Sequence, residues 1–87
     1  RIIFLAIKPG LARWKLWPTM SRANEMVQAY SARTPNLVYA DMAAPTLGAD
    51  GLPRPDFFVA DGLHLTPAGY DAWTRALAPV IAAAELE

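Results

Sequence analysis

The sequence predicts an α/β fold, a βαβ unit followed by a C-terminal helix, and three observations carry that expectation. Ile2-Ile3-Phe4-Leu5-Ala6-Ile7 is a continuous run of apolar, β-favouring residues stopped by Lys8-Pro9-Gly10. Alternation would mark a half-exposed strand, whereas an unbroken run marks one covered on both faces, as in parallel sheets. A helical segment comes next, and then a second short β-favouring run, Leu37-Val38-Tyr39-Ala40, ending at Asp41. Strand, helix and strand in this order imply parallel strands joined by a right-handed crossover.

The helix between the strands opens at Pro18-Thr19. Met20, Ala23, Met26, Val27 and Tyr30 form its expected inner face, with Arg22, Glu25 and Gln28 largely outside it. Thr34-Pro35-Asn36 ends it. The stretch from Met42 to Ala60 is rich in Pro, Gly and Asp and reads as one long anchored loop, with a helical turn expected near Asp56–Phe58. Loops of this length within compact domains are usually functional. Thr66 is a good N-cap and Pro67 a good first helical residue. The final helix shows its expected buried stripe at Tyr70, Trp73, Leu77, Val80, Ile81 and Ala84. There are no repeats, no low-complexity segment and no internal domain boundary.

Composition narrows the function classes. At 87 residues the chain is at most one small domain or a piece of a larger one. A chain of this size buries only about 60–65% of the surface that its unfolded form exposes, so an isolated fold is marginal. An apolar content of 54% is high for so small a chain. Eight basic and eight acidic residues give a formal net charge of zero, which leaves no basic stripe for nucleic acid. No cysteine is present, so disulfides and thiolate metal sites are excluded. The longest apolar runs, Ile2–Ile7 and Leu77–Ala84, are far shorter than a membrane span needs. The chain opens at Arg1 inside an apolar run, which predicts a truncated or processed product, and the closing Leu86-Glu87 reads as a vector-derived remnant.

The chemistry concentrates in Asp61-Gly62-Leu63-His64-Leu65-Thr66-Pro67-Ala68-Gly69-Tyr70, where a carboxylate precedes the sole histidine by three residues. A neutral imidazole serves as a general base when a carboxylate holds its other ring nitrogen. In open α/β sheets, sites form beyond the carboxyl ends of the strands. The long loop leaves the carboxyl end of the second strand and delivers both residues to that edge. His64 is the expected base, and Asp61 is expected to set its tautomer and stabilise the imidazolium.

This block resembles the final conserved block of the SGNH, or GDSL-type, serine hydrolases, which reads Asp-x-x-His-hydrophobic-x-x-x-Gly-aromatic. Ala6-Ile7-Lys8-Pro9-Gly10-Leu11-Ala12-Arg13-Trp14 and Leu47-Gly48-Ala49-Asp50-Gly51-Leu52-Pro53-Arg54-Pro55 are also similar to segments of bacterial members. The resemblance covers essentially all 87 residues. It implies a flavodoxin-like, three-layer parallel-sheet fold and the hydrolysis of small ester substrates without a metal or other cofactor. His64 and Asp61 match the base and its partner in the family's catalytic triad. Members commonly carry Ser at the position of Gly10, to which no catalytic meaning attaches.

The departures from the family matter as much. The Gly-Asp-Ser block that carries the nucleophile and the two middle blocks that supply oxyanion-hole Gly and Asn do not occur in this sequence. Residues 1–87 therefore read as the C-terminal portion of one hydrolase domain, inactive alone, whose expected partner is the missing N-terminal half. Ser21 and Ser31 lie within the first helix, without a Gly-rich turn to expose an activated hydroxyl. Trp14, Phe58 and Leu63 are the candidate substrate contacts, while at least one of Phe57 and Phe58 is expected to pack in the core; Trp14 and Trp17 wall a cleft or anchor the loop, and Lys8 and Arg13 meet an anionic group or sit as solvated rim charges. Asp41, Asp50, Asp56, Asp61 and His64 lack metal-site spacing and read as turn formers or caps, so no metal is expected. The competing expectation is a catalytically inert fragment, or an α/β module that self-associates through its open sheet edge. Carbohydrate binding by exposed Trp and Asp is the third.

Overall fold

The first apolar run and the second pair as predicted. In the computed structural model, which describes residues 1–86, β1 (Ile2–Leu5) and β2 (Leu37–Ala40) form a parallel two-stranded sheet. The register runs from Ile2 opposite Leu37 to Leu5 opposite Ala40. Glu87 and the Leu86 side chain lie outside the described residues, and with them the expected terminal remnant. A 3-10 segment, Leu11–Leu16, leads into α1 (Trp17–Ala32), and α2 (Pro67–Leu86) closes the chain. The architecture is α/β, with a parallel strand pair linked through α1.

β1 is shorter than the apolar run, and a single side chain explains why. Ala6 N–H still reaches the Ala40 carbonyl at 3.0 Å. At Ile7 the partner changes: Asn24 accepts the Ile7 N–H through Oδ1 and donates from Nδ2 to the Ile7 carbonyl, both at 2.9 Å. The amide of Asn24 thus imitates one residue of a neighbouring strand and ends the ladder. It is buried, and a buried amide requires such partners.

That bond also sets which side of α1 faces inward. Asn24 and Ser31 are buried, with Met20 and Val27 half-buried on the same stripe. The expected inner face is corrected accordingly: Met26 and Tyr30 are 67% and 52% exposed. Apolarity alone misplaces the face because Asn24 contributes two hydrogen bonds that no apolar residue can make. In α2, Trp73, Leu77, Val80 and Ala84 are half-buried as expected, whereas Tyr70 and Ile81 face outward.

The segment between β2 and α2 is anchored rather than loose. It holds the expected helical turn at Pro55–Phe57 and another at Ala44–Thr46, with single antiparallel bridges joining Leu47 to Pro53 and Phe58 to Leu65. Phe57, Phe58 and Leu65 form a core cluster against Ala72 and Trp73 of α2. The Trp73 indole N–H donates to the Met42 carbonyl at 3.1 Å, fixing α2 to the start of the segment. The expectation that β1 is covered on both faces is not met within these residues, since Ile2 and Leu5 are exposed.

Candidate active site

Asp61 and His64 sit in a tight turn held at both ends. The Val59 N–H donates to the His64 carbonyl and the Gly62 N–H to the Val59 carbonyl, each at 2.9 Å. Gly62 adopts φ 70°, a left-handed conformation that side chains disfavour. The Thr66 hydroxyl starts α2 by accepting the Gly69 N–H at 3.2 Å and donates to the Asp56 carbonyl at 2.8 Å. A Cβ on Gly69 would lie 2.5 Å from the Phe57 carbonyl, so only glycine lets α2 approach the turn this closely.

Within the turn, both carboxylate oxygens of Asp61 are used. Oδ1 accepts the backbone N–H groups of Leu63 at 2.8 Å and His64 at 3.0 Å. Oδ2 lies 2.5 Å from His64 Nδ1. The bond to His64 and, after it, those from the two backbone amides lower the Asp61 carboxyl pKa to about 2. An ionised carboxylate only accepts, so Nδ1 carries the proton and the lone pair of the neutral ring lies on Nε2. Nε2 makes no hydrogen bond among the described residues, and the His64 side chain is 75% exposed. The ring is therefore oriented, in one tautomer, and open to an incoming hydroxyl.

The other candidates are more scattered. Leu63 is half-buried and lines a cavity of about 320 Å³ with Lys8, Gly10, Arg13, Met20 and Trp73. Lys8 lies over the Trp73 ring, 5.7 Å from its centroid, and Arg13 is exposed. Trp14 stacks on Trp17 at 6.3 Å and lines a separate cleft with Leu11, Asp50, Leu52, Pro53 and Pro55. Phe58, expected at the substrate, is instead a core residue, 6% exposed; the Phe58–Leu65 bridge turns its ring inward. The Ser31 hydroxyl is buried and donates to the Gln28 carbonyl, and Ser21 lines a cavity with Asn24 and Tyr39; neither bonds His64.

Asp41 and Asp50, like Asp61, accept backbone N–H groups close by in sequence, and Asp56 pairs with Arg54. Among the described residues no three His, Asp or Glu side chains are grouped to hold a metal ion. No helix among them is long and apolar enough to cross a membrane.

Sequence reasoning missed the clamp on the turn. The Ala12 N–H donates to the Gly62 carbonyl at 3.1 Å, and a Cβ on Gly62 would meet Ala12 N at 2.9 Å and the Leu11 side chain at 3.2 Å. The Gly10-Leu11-Ala12 corner thus rests directly on the Asp61–His64 turn. The available signal was the two glycines at the contact, Gly10 and Gly62, whose missing side chains let the two loops touch.

No family model and no curated protein matches the sequence. The fold is similar to a solved structure described as "a putative platelet activating factor from Streptococcus pneumonia", with a TM-score of 0.78 and 19% sequence identity. The match covers 92% of this chain and 41% of the other, so this chain spans well under half the length of that protein. The α/β arrangement belongs to a fold found within a larger chain.

Proposed function

We propose that these residues supply the Asp-His half of a Ser-His-Asp triad in an SGNH-type ester hydrolase. The observation that carries this reading is the oriented imidazole: Nδ1 bound to Asp61 at 2.5 Å, with Nε2 unbonded among the described residues and the side chain 75% exposed. In the complete enzyme the nucleophilic serine and the oxyanion donors come from a part of the flavodoxin-like domain not represented in this sequence. Nε2 takes the serine proton as the hydroxyl oxygen attacks the ester carbonyl, and it returns that proton to the departing alkoxide. Water then repeats the cycle on the acyl-enzyme. Asp61 keeps the proton on Nδ1 and offsets the imidazolium charge at each stage.

The likeness to a fold more than twice this length supports the reading, as does the outward-facing apolar surface of β1. The test is turnover of p-nitrophenyl acetate by a protein that joins these residues to a half bearing the Gly-Asp-Ser block. His64→Ala should lower kcat by on the order of a million-fold with the fold retained. Unchanged turnover in that variant removes the assignment.

Exposed Ile2 and Leu5 favour a second reading, an inert module that covers β1 with another copy of itself. It predicts no turnover in any assembly and a fold that is lost on dilution.

A further inference from the structure

Leu11 and Leu52 are 41% and 47% exposed, although they belong to different loops. Both face one cleft of about 290 Å³, completed by Trp14, Asp50, Pro53 and Pro55. Apolar side chains from separate segments that converge on a concave surface form a ready binding site for an apolar group.

The cleft is preformed. On one side the Gly48 N–H donates to the Leu52 carbonyl at 2.8 Å, the Arg54 N–H to the Thr46 carbonyl at 2.9 Å, and Asp50 Oδ1 accepts the Leu52 N–H at 3.0 Å. Pro53, at its base, is buried. On the other side Trp14 is braced by its stack on Trp17, with ring planes 11° apart. A group entering such a cleft orders little of the protein, which keeps the entropic cost of binding low.

Position and charge identify the occupant. Leu11, on the rim, also rests on Gly62, so the cleft shares a wall with the turn that orients His64. Among the described residues the sole ionisable lining group is Asp50, whose Oδ1 already caps Leu52. An anion is repelled by that carboxylate, and a hydroxyl-rich ligand finds few polar partners among Leu, Pro and Trp.

We propose that this cleft receives the apolar acyl group of the ester, and that Leu11, Trp14 and Leu52 set the preferred chain length. The assignment of the occupant rests on the hydrolase reading; the binding of an apolar chain does not. The test therefore has two arms.

In the first, the chain is titrated with 1-butanol and 1-hexanol and followed by amide and indole NMR shifts. Saturable shifts are expected at Leu11, Leu52 and the Trp14 indole. Each buried methylene is worth about fourfold, so hexanol should bind about fifteen-fold more tightly than butanol. Leu52→Arg and Leu11→Glu should each abolish saturation, and Ile2→Lys, on the exposed β1 surface, should not. Shifts centred on β1 or on α2, indifference to both leucine variants, or saturation by methyl glucoside in place of hexanol would overturn the proposal.

In the second arm, the completed hydrolase is given p-nitrophenyl acetate, butyrate and hexanoate. Its kcat/KM should rise with chain length and lose that slope in Leu52→Arg. A flat series with full dependence on His64 overturns the cleft alone. Turnover indifferent to His64, with hexanol still bound, overturns the hydrolase reading and leaves an apolar-chain site without an acyl occupant.

Discussion

The segment between β2 and α2 and the helix α1 make opposite use of their residues. The segment contains little regular structure, yet Met42, Ala43, Thr46, Pro53, Phe57, Phe58 and Leu65 are all buried. α1 is sixteen regular residues long and buries only Asn24 and Ser31, leaving Met26 and Tyr30 outside. Regularity and packing are thus separate properties. The segment closes on itself and on α2 through the Leu47–Pro53 and Phe58–Leu65 bridges and the Trp73–Met42 hydrogen bond. α1 satisfies its backbone internally and meets the rest of the chain along one narrow stripe. The candidate site is built on the self-contained part, which is why Asp61 and His64 are well placed even though β1 is uncovered.

The largest effect should come from breaking the segment's core. Phe58→Ala removes a buried ring and should cost about 3–5 kcal/mol, comparable with the whole stability of a small domain. Urea unfolding followed by near-UV circular dichroism measures this. A loss below about 1 kcal/mol would mean that the segment's hydrogen bonds, not its core, hold it.

A smaller effect is expected from acid, through the turn itself. The Asp61 carboxyl is lowered from 3.8 to about 2 in the folded chain, so the unfolded state binds more protons between those values. Stability from this group is complete above 3.8 and is lost as the pH falls towards 2. Asp61→Asn cannot titrate, so the gap between wild type and variant in urea midpoint should narrow over that interval. A gap independent of pH would detach the carboxylate from the fold. Because Asp61 is ionised at every pH above that interval, its hold on His64 Nδ1 should persist through neutrality.

The smallest effect belongs to α1. Met26→Lys lies on its outward side and should alter stability by less than about 0.5 kcal/mol in the isolated chain. A clear destabilisation that grows with protein concentration would show that this side is covered by a second copy of the chain and would sharpen the contrast, making α1 an interface helix.

Much of this was legible from residue order. β2 ends where Asp41 follows Ala40, α2 begins at Pro67 after the Thr66 cap, and Asp61 and His64 meet within one turn. Phe58 and the inner side of α1 were misread from sequence for a shared reason. Apolar spacing reports which residues can be buried, and Phe58 could have faced either core or substrate until its bridge to Leu65 turned it inward. Likewise, the pattern Met20, Ala23, Met26, Val27, Tyr30 competes with a stripe containing Asn24, and only the Ile7 backbone decides between them.

The sequence by itself determined the Asp61–His64 pair, because a carboxylate three residues before an imidazole can reach Nδ1 and two nearby backbone N–H groups within one turn. It determined the order of strands and helices for the same reason, since caps, breakers and apolar runs act over a few residues. Only the tertiary structure decided which side of α1 is buried, that Phe58 belongs to the core, and that Leu11 and Leu52 share one cleft beside the turn. Those outcomes depend on contacts between distant segments, and their energies exist only once the chain has brought the segments together.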